Sequence, residues 1–174
     1  MSVRRVLNIA VTVICLLVLL VLTVYLIIQW RQIPDQVASN YGTDGTIVNY
    51  EGKISLLFQL AFAWIICLLL TWMGMRPVEK GGALKFTHMR AFRIGPRGGD
   101  FVERARQRNP HVANNIGIDM LMCIKLSITV LFSYLIFAST RNAPLAPWLL
   151  PVTLVVVFVP VLIHLFRLWK VSRM

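Results

Sequence analysis

Residues 33–53 read Ile33-Pro34-Asp35-Gln36-Val37-Ala38-Ser39-Asn40-Tyr41-Gly42-Thr43-Asp44-Gly45-Thr46-Ile47-Val48-Asn49-Tyr50-Glu51-Gly52-Lys53. The stretch is polar and separates two long apolar runs, Val6–Ile28 and Ile54–Met75. That contrast decides the fold class. About 23 helical residues rise roughly 34 Å, enough for a bilayer core of about 30 Å. The first run ends in Ile27-Ile28-Gln29-Trp30-Arg31 rather than in a small-residue cleavage site. It is therefore expected to be an uncleaved anchor, with Trp30 at the water interface.

Working outward, Arg76-Pro77 stops the second run, and residues 76–112 are polar, with glycine pairs that break regular structure. Asp100 and Glu103 have capping-box spacing, which predicts a short basic helix through Arg108. Asn109-Pro110 then predicts an N-cap and first turn. The third apolar run leaves the membrane near Ser139, and a turn with two prolines leads to the fourth, which carries Pro151 and Pro160. The expected fold is one all-α integral membrane domain over residues 1–174, with spans at about 6–29, 54–75, 116–139 and 148–168. A folded outer loop at 30–53 and a basic segment at 76–112 complete it. The apolar runs hold no internal repeat, heptad run or GxxxG pair to suggest otherwise.

Composition agrees. The chain is 57% hydrophobic and only 14% charged, too little polar surface for a soluble domain. The net charge of +11 would suggest nucleic acid in a soluble protein, but its placement argues otherwise. Two basic residues precede the first span, nine lie in 76–112 and three in the C-terminal tail, against two in the 30–53 loop and Arg141 in the last turn. The positive-inside rule places both termini and 76–112 in the cytoplasm and 30–53 outside. Cys15, Cys67 and Cys123 all fall in apolar runs, without metal-site spacing, and read as small apolar filler.

Three groups of residues are candidates for function. In the outer loop, Pro34 and Asp35 favour a turn, and Gly42 and Gly45 allow left-handed or tight conformations. Asn40, Tyr41, Tyr50 and Lys53 supply polar and aromatic contact groups. In the third span, Lys125, Thr129 and Ser133 share a helix face with Asp119 at its edge. Lys125 is expected either to snorkel to the headgroups or to lie in the bundle, paired with Asp119 or with a polar residue of another helix; His164 lies at a compatible depth. In the basic segment, Arg90, Arg93, Arg97, Arg104, Arg106 and Arg108 attract anionic headgroups or a cytosolic regulator. No HExxH, GK[ST] or GxSxG occurs, so neither an enzyme, a metal nor a cofactor is expected.

The outer loop resembles the domain of unknown function at the N-terminus of SdpI-type bacterial immunity proteins. Ile33, Pro34, Asp35, Val37, Tyr41, Gly45, Tyr50 and Lys53 fit that pattern. Ala38, Asn40 and Gly42 depart from it, standing where the family has a proline, a histidine and an asparagine. Asn114-Asn115 and Lys125 are similar to its third-helix entry. The resemblance implies a bacterial plasma-membrane protein that recognises an extracellular peptide or toxin and signals inward. The Lys125 stripe beside a proline-broken helix suggests the alternative, a small transport component.

Overall fold

A computed structural model describes residues 3–75 and 100–173. Four helices are long and apolar enough to cross a membrane. They are α1 (Val3–Gln29), α2 (Ser55–Gly74), α4 (Pro110–Thr140) and α5 (Leu149–Arg173). A short helix, α3 (Asp100–Arg108), precedes α4. The outward faces of the long helices carry Val, Leu, Ile and Phe, as a lipid-facing surface requires.

The expectation of an all-α chain needs correction. The 30–53 loop contains an antiparallel hairpin, β1 (Gln36–Tyr41) with β2 (Ile47–Gly52). Gly45 takes φ +83°, and the Gly42 amide bonds the Thr46 carbonyl at 2.8 Å across the turn. The Asp44 carboxylate accepts from both the amide and the hydroxyl of Thr46. These two bonds, the hydroxyl first, hold the Asp44 carboxyl below its usual range. An Asp-Gly pair between short β-prone runs is a hairpin signal. It was masked here by Ser39 and Asn40, where the strand register slips.

Packing follows a spacing hidden within the apolar run. Helix α1 buries Asn8, Cys15, Leu19, Leu22 and Leu26, and half-buried Thr12 completes a 4-3-4-3-4 series. That seam of heptad-like spacing faces the buried stripe of α2, which includes Ala63, Cys67, Thr71 and Gly74. Helix α4 lies against both α1 and α2. Near the hairpin, Ile33 and Val37 join Leu22, Leu26, Leu56, Leu60 and Ile136 in one apolar cluster. Full burial of a valine such as Val37 contributes about 1.5–3 kcal/mol, which plugs the hairpin into the bundle. Helix α5 packs only on α3 and α4 among the principal contacts, so most of its length stays exposed. At the end opposite the hairpin, Ala105 and Val102 of α3 dock on Ala113, Ile116, Leu168 and Val171. Asn109 caps α4, its side chain accepting from the Val112 amide at 3.2 Å with Pro110 behind it.

Candidate functional site

Lys125 is the largest fully buried side chain, 1% exposed where α1, α2 and α4 meet. Its side chain leans toward the N-terminal end of α4, as helical side chains do. That direction brings the amine to α1. Nζ donates to Thr12 Oγ1 at 2.5 Å and to Asn8 Oδ1 at 3.4 Å. The Thr12 hydroxyl itself donates to the Asn8 carbonyl at 2.7 Å, which turns an oxygen lone pair toward the lysine. Cys15 of α1, Cys67 and Thr71 of α2 and Thr129 of α4 are buried in the same bundle. Gly74 makes room for Asn8: a methyl group at that glycine would lie 3.2 Å from Asn8 Nδ2.

Of the two alternatives for Lys125, the amine lies in the bundle against polar residues of another helix and does not snorkel to the headgroups. Its pairing with Asp119 does not form either: the Asp119 carboxylate meets Arg4 at 3.8 Å. His164 is buried, and it is not a hydrogen-bond partner of Lys125, whose amine meets Asn8 and Thr12. Of the predicted stripe, Thr129 is buried beside the site. Ser133 turns toward α1, and its hydroxyl donates back to the Thr129 carbonyl at 2.8 Å. An ammonium offers three donors, whereas the described residues supply two neutral acceptors and no carboxylate. The site can therefore accept one further hydrogen-bond acceptor, or hold a neutral amine.

No family model, curated protein or solved structure matches the chain.

The predicted outer-loop residues separate into two sets. Asp35 and Lys53 pair at 2.7 Å and tie the hairpin's base, with the Lys53 amide on the Asp35 carbonyl at 2.9 Å. The Lys53 ammonium hydrogen bond and charge hold Asp35 below the usual carboxylate range. Lys53 also stands over the Trp30 ring. Tyr41 reaches the Ser139 hydroxyl at 3.1 Å, while burial pushes its phenol up. Gly45 presses on the α4–α5 turn: its carbonyl accepts from the Leu145 amide at 2.9 Å, and a Cβ there would collide with the Leu145 carbonyl. These four residues build the cap. Pro34, Asn40 and Tyr50 are exposed, together with nearly all of β2.

Asn142 was not anticipated and holds the cap down. It sits at φ +48° just past α4, where the Asn142 and Ala143 amides bond Ser139 and Ala138 carbonyls in a Schellman arrangement. Its carboxamide accepts from the Ala38 amide at 2.8 Å and donates to the Gln36 carbonyl at 3.2 Å. It thus satisfies the edge of β1 that β2 leaves open. Asn8 and Thr12 were also missed. Their signal was available: they extend the 4-3 spacing of α1 as its polar members.

In the basic segment, Arg104, Arg106 and Arg108 lie on α3, with Arg108 exposed. Arg90, Arg93 and Arg97 fall outside the described residues.

Proposed function

We propose that this chain is a small transport component of a bacterial cytoplasmic membrane, with the Lys125 amine as its working group. The charge bias in the sequence supports placing both termini and 76–112 in the cytoplasm and the hairpin outside. The single observation that carries the reading is a fully buried amine held by neutral acceptors from another helix. Ionisable groups inside a membrane are costly and serve proton relays or substrate sites. The amine would exchange a proton, or lend its third donor to an anionic or carbonyl-bearing solute, beside Thr12 and Asn8. The test uses the purified chain in vesicles loaded with a pH-sensitive dye, under an imposed membrane potential. Dye response should be fast for the parent and absent for Lys125→Met. Equal rates would sink the proposal.

A second reading, SdpI-like immunity or signalling, is favoured by one observation. Strand β2 presents nearly its whole length, with Val48 69% and Tyr50 49% exposed. An extracellular peptide or toxin would dock there, and continuous α4 would connect the cap to the basic end, where a cytosolic regulator would bind. Photo-crosslinking probes at Val48 and Tyr50 should then trap a discrete outer partner in native membranes. Tyr41 is a poor probe site, since its hydroxyl is engaged with Ser139.

A further inference from the structure

Residues of α1 and α4 line a seam toward the hairpin. Its deeper part is an apolar groove of about 500 Å³, with Val18, Val21 and Leu22 on one wall and Val130 and Tyr134 on the other. Above it lies a polar cavity of about 330 Å³ bordered by Gln29, Gln32, Thr140 and Arg141. Tyr25 lines both. Its ring tilts against Phe137 at 5.8 Å, and its hydroxyl stands 3.3 Å from Thr140 Oγ1. The residue thus marks the boundary between an apolar slot and a polar mouth. From Val18 to Tyr25 the slot spans about 10 Å of helix rise, most of the roughly 15 Å hydrocarbon depth of one leaflet.

The mouth carries a cation. The Arg141 guanidinium lies over the Phe137 ring at 4.3 Å, and no ion pair among the described residues involves it. Of the three acids of the cap, Asp35 is engaged with Lys53 and Asp44 with Thr46, and Glu51 is exposed on β2 and forms no salt bridge with Arg141. A planar guanidinium beside two carboxamides suits phosphate oxygens. An apolar slot at that depth suits an acyl chain and not water.

We propose that the α1–α4 seam is a binding site for one anionic phospholipid of the hairpin-side leaflet. Its phosphate sits at Arg141 with the Gln29 and Gln32 amides, and one acyl chain lies along the slot below Tyr25. The site is distinct from the Lys125 cluster and stands whether or not the chain transports anything.

Native mass spectrometry of the full chain, titrated with phosphatidylglycerol or with phosphatidylcholine of matched chains, tests this. The parent should retain one phosphatidylglycerol in preference to phosphatidylcholine. Arg141→Gln should weaken retention about tenfold and erase the preference, the loss expected of one charge-assisted hydrogen bond. Val130→Trp, a change at a residue facing outward into the slot, should weaken both lipids. Arg5→Gln, at an exposed residue near the start of α1 and so at the opposite end, should leave retention unchanged. Circular dichroism of each variant checks that the helices persist. Three results would overturn the proposal: retention indifferent to Arg141→Gln and Val130→Trp, retention lost with Arg5→Gln, or displacement of the lipid by glycerol 1-phosphate, which has no chain.

Discussion

The hairpin cap and the Lys125 seam both carry polar groups in a chain that is largely apolar, and they treat them in opposite ways. In the cap, the polar groups that looked like a signature close on one another or on the α4–α5 turn. Asp35 takes Lys53, Tyr41 takes Ser139, and the open edge of β1 takes Asn142. In the seam, a buried amine is given neutral acceptors only, one of them at the long distance of 3.4 Å. A satisfied network stabilises a shape, while an under-satisfied buried cation destabilises the fold unless it does something else. That difference is what the proposed transport role of Lys125 rests on.

The sharpest way to break that contrast is Lys125→Met. If the lysine is kept for chemistry, an apolar side chain of similar length should remove dye-reported flux altogether. It should leave the thermal midpoint in detergent unchanged or raised, since replacing buried charges by apolar groups is often neutral or stabilising by about 1–4 kcal/mol. A marked drop in midpoint would make Lys125 a structural pin and dissolve the distinction.

The cap should respond in the reverse sense. Asn142→Ala strips the Ala38 amide and Gln36 carbonyl of their partner and puts alanine at φ +48°. Leaving the buried amide of Ala38 unpaired costs about 1–3 kcal/mol, and the left-handed backbone adds about 1–2 kcal/mol. Asn142→Gly restores the backbone freedom but not the carboxamide, so its midpoint should fall between parent and alanine variant. Glycine and alanine variants of equal stability would show that the turn conformation plays no part. Flux should survive both changes if the cap is only a lid.

Much of this was legible before the structure, and unevenly so. The four spans could be read because length and hydropathy are properties of single segments, and Asn109-Pro110 announces a helix start by local chemistry alone. The hairpin was less legible because Gln36 to Tyr41 alternates poorly, and its pairing depends on Asn142, a residue 104 positions from the amide it accepts from. Lys125 stood out as a cation in an apolar run, yet its partners did not. A lysine's reach is several ångströms in any direction, so its own helix cannot say which neighbour it meets. Asn8 and Thr12 gave that answer through the 4-3 spacing of α1, which is visible only when the run is read as a seam with faces rather than as a hydropathy total.

A gentler probe of the seam is Gly74→Ala. Its methyl group would lie 3.2 Å from Asn8 Nδ2, tight enough that Asn8 must give by a few tenths of an ångström. Asn8 in turn holds Lys125. Flux should fall several-fold while the midpoint moves by less than about 1 kcal/mol equivalent, because alanine also favours the helix over glycine. Unaltered flux would mean that the Asn8 contact does not set the position of the amine.

The smallest expected effect lies at the hairpin's base. Lys53 holds the Asp35 carboxyl below its usual value of 3.8 in the folded chain. The pair therefore stabilises the hairpin at pH values above that usual value. Its contribution fades as pH falls past it and is gone once Asp35 is protonated in the folded state too. Asp35 is fully open to solvent, so the effect is a slight bend in the acid limb rather than a cliff. Thermal midpoints measured from about pH 6 to pH 3 should fall a little less steeply for Asp35→Asn than for the parent. The variant should also start lower at neutral pH, where the parent still has its pair. Parallel curves would show that the backbone bond from Lys53 to Asp35 closes the hairpin unaided, and that the two charges at its base are incidental to the cap.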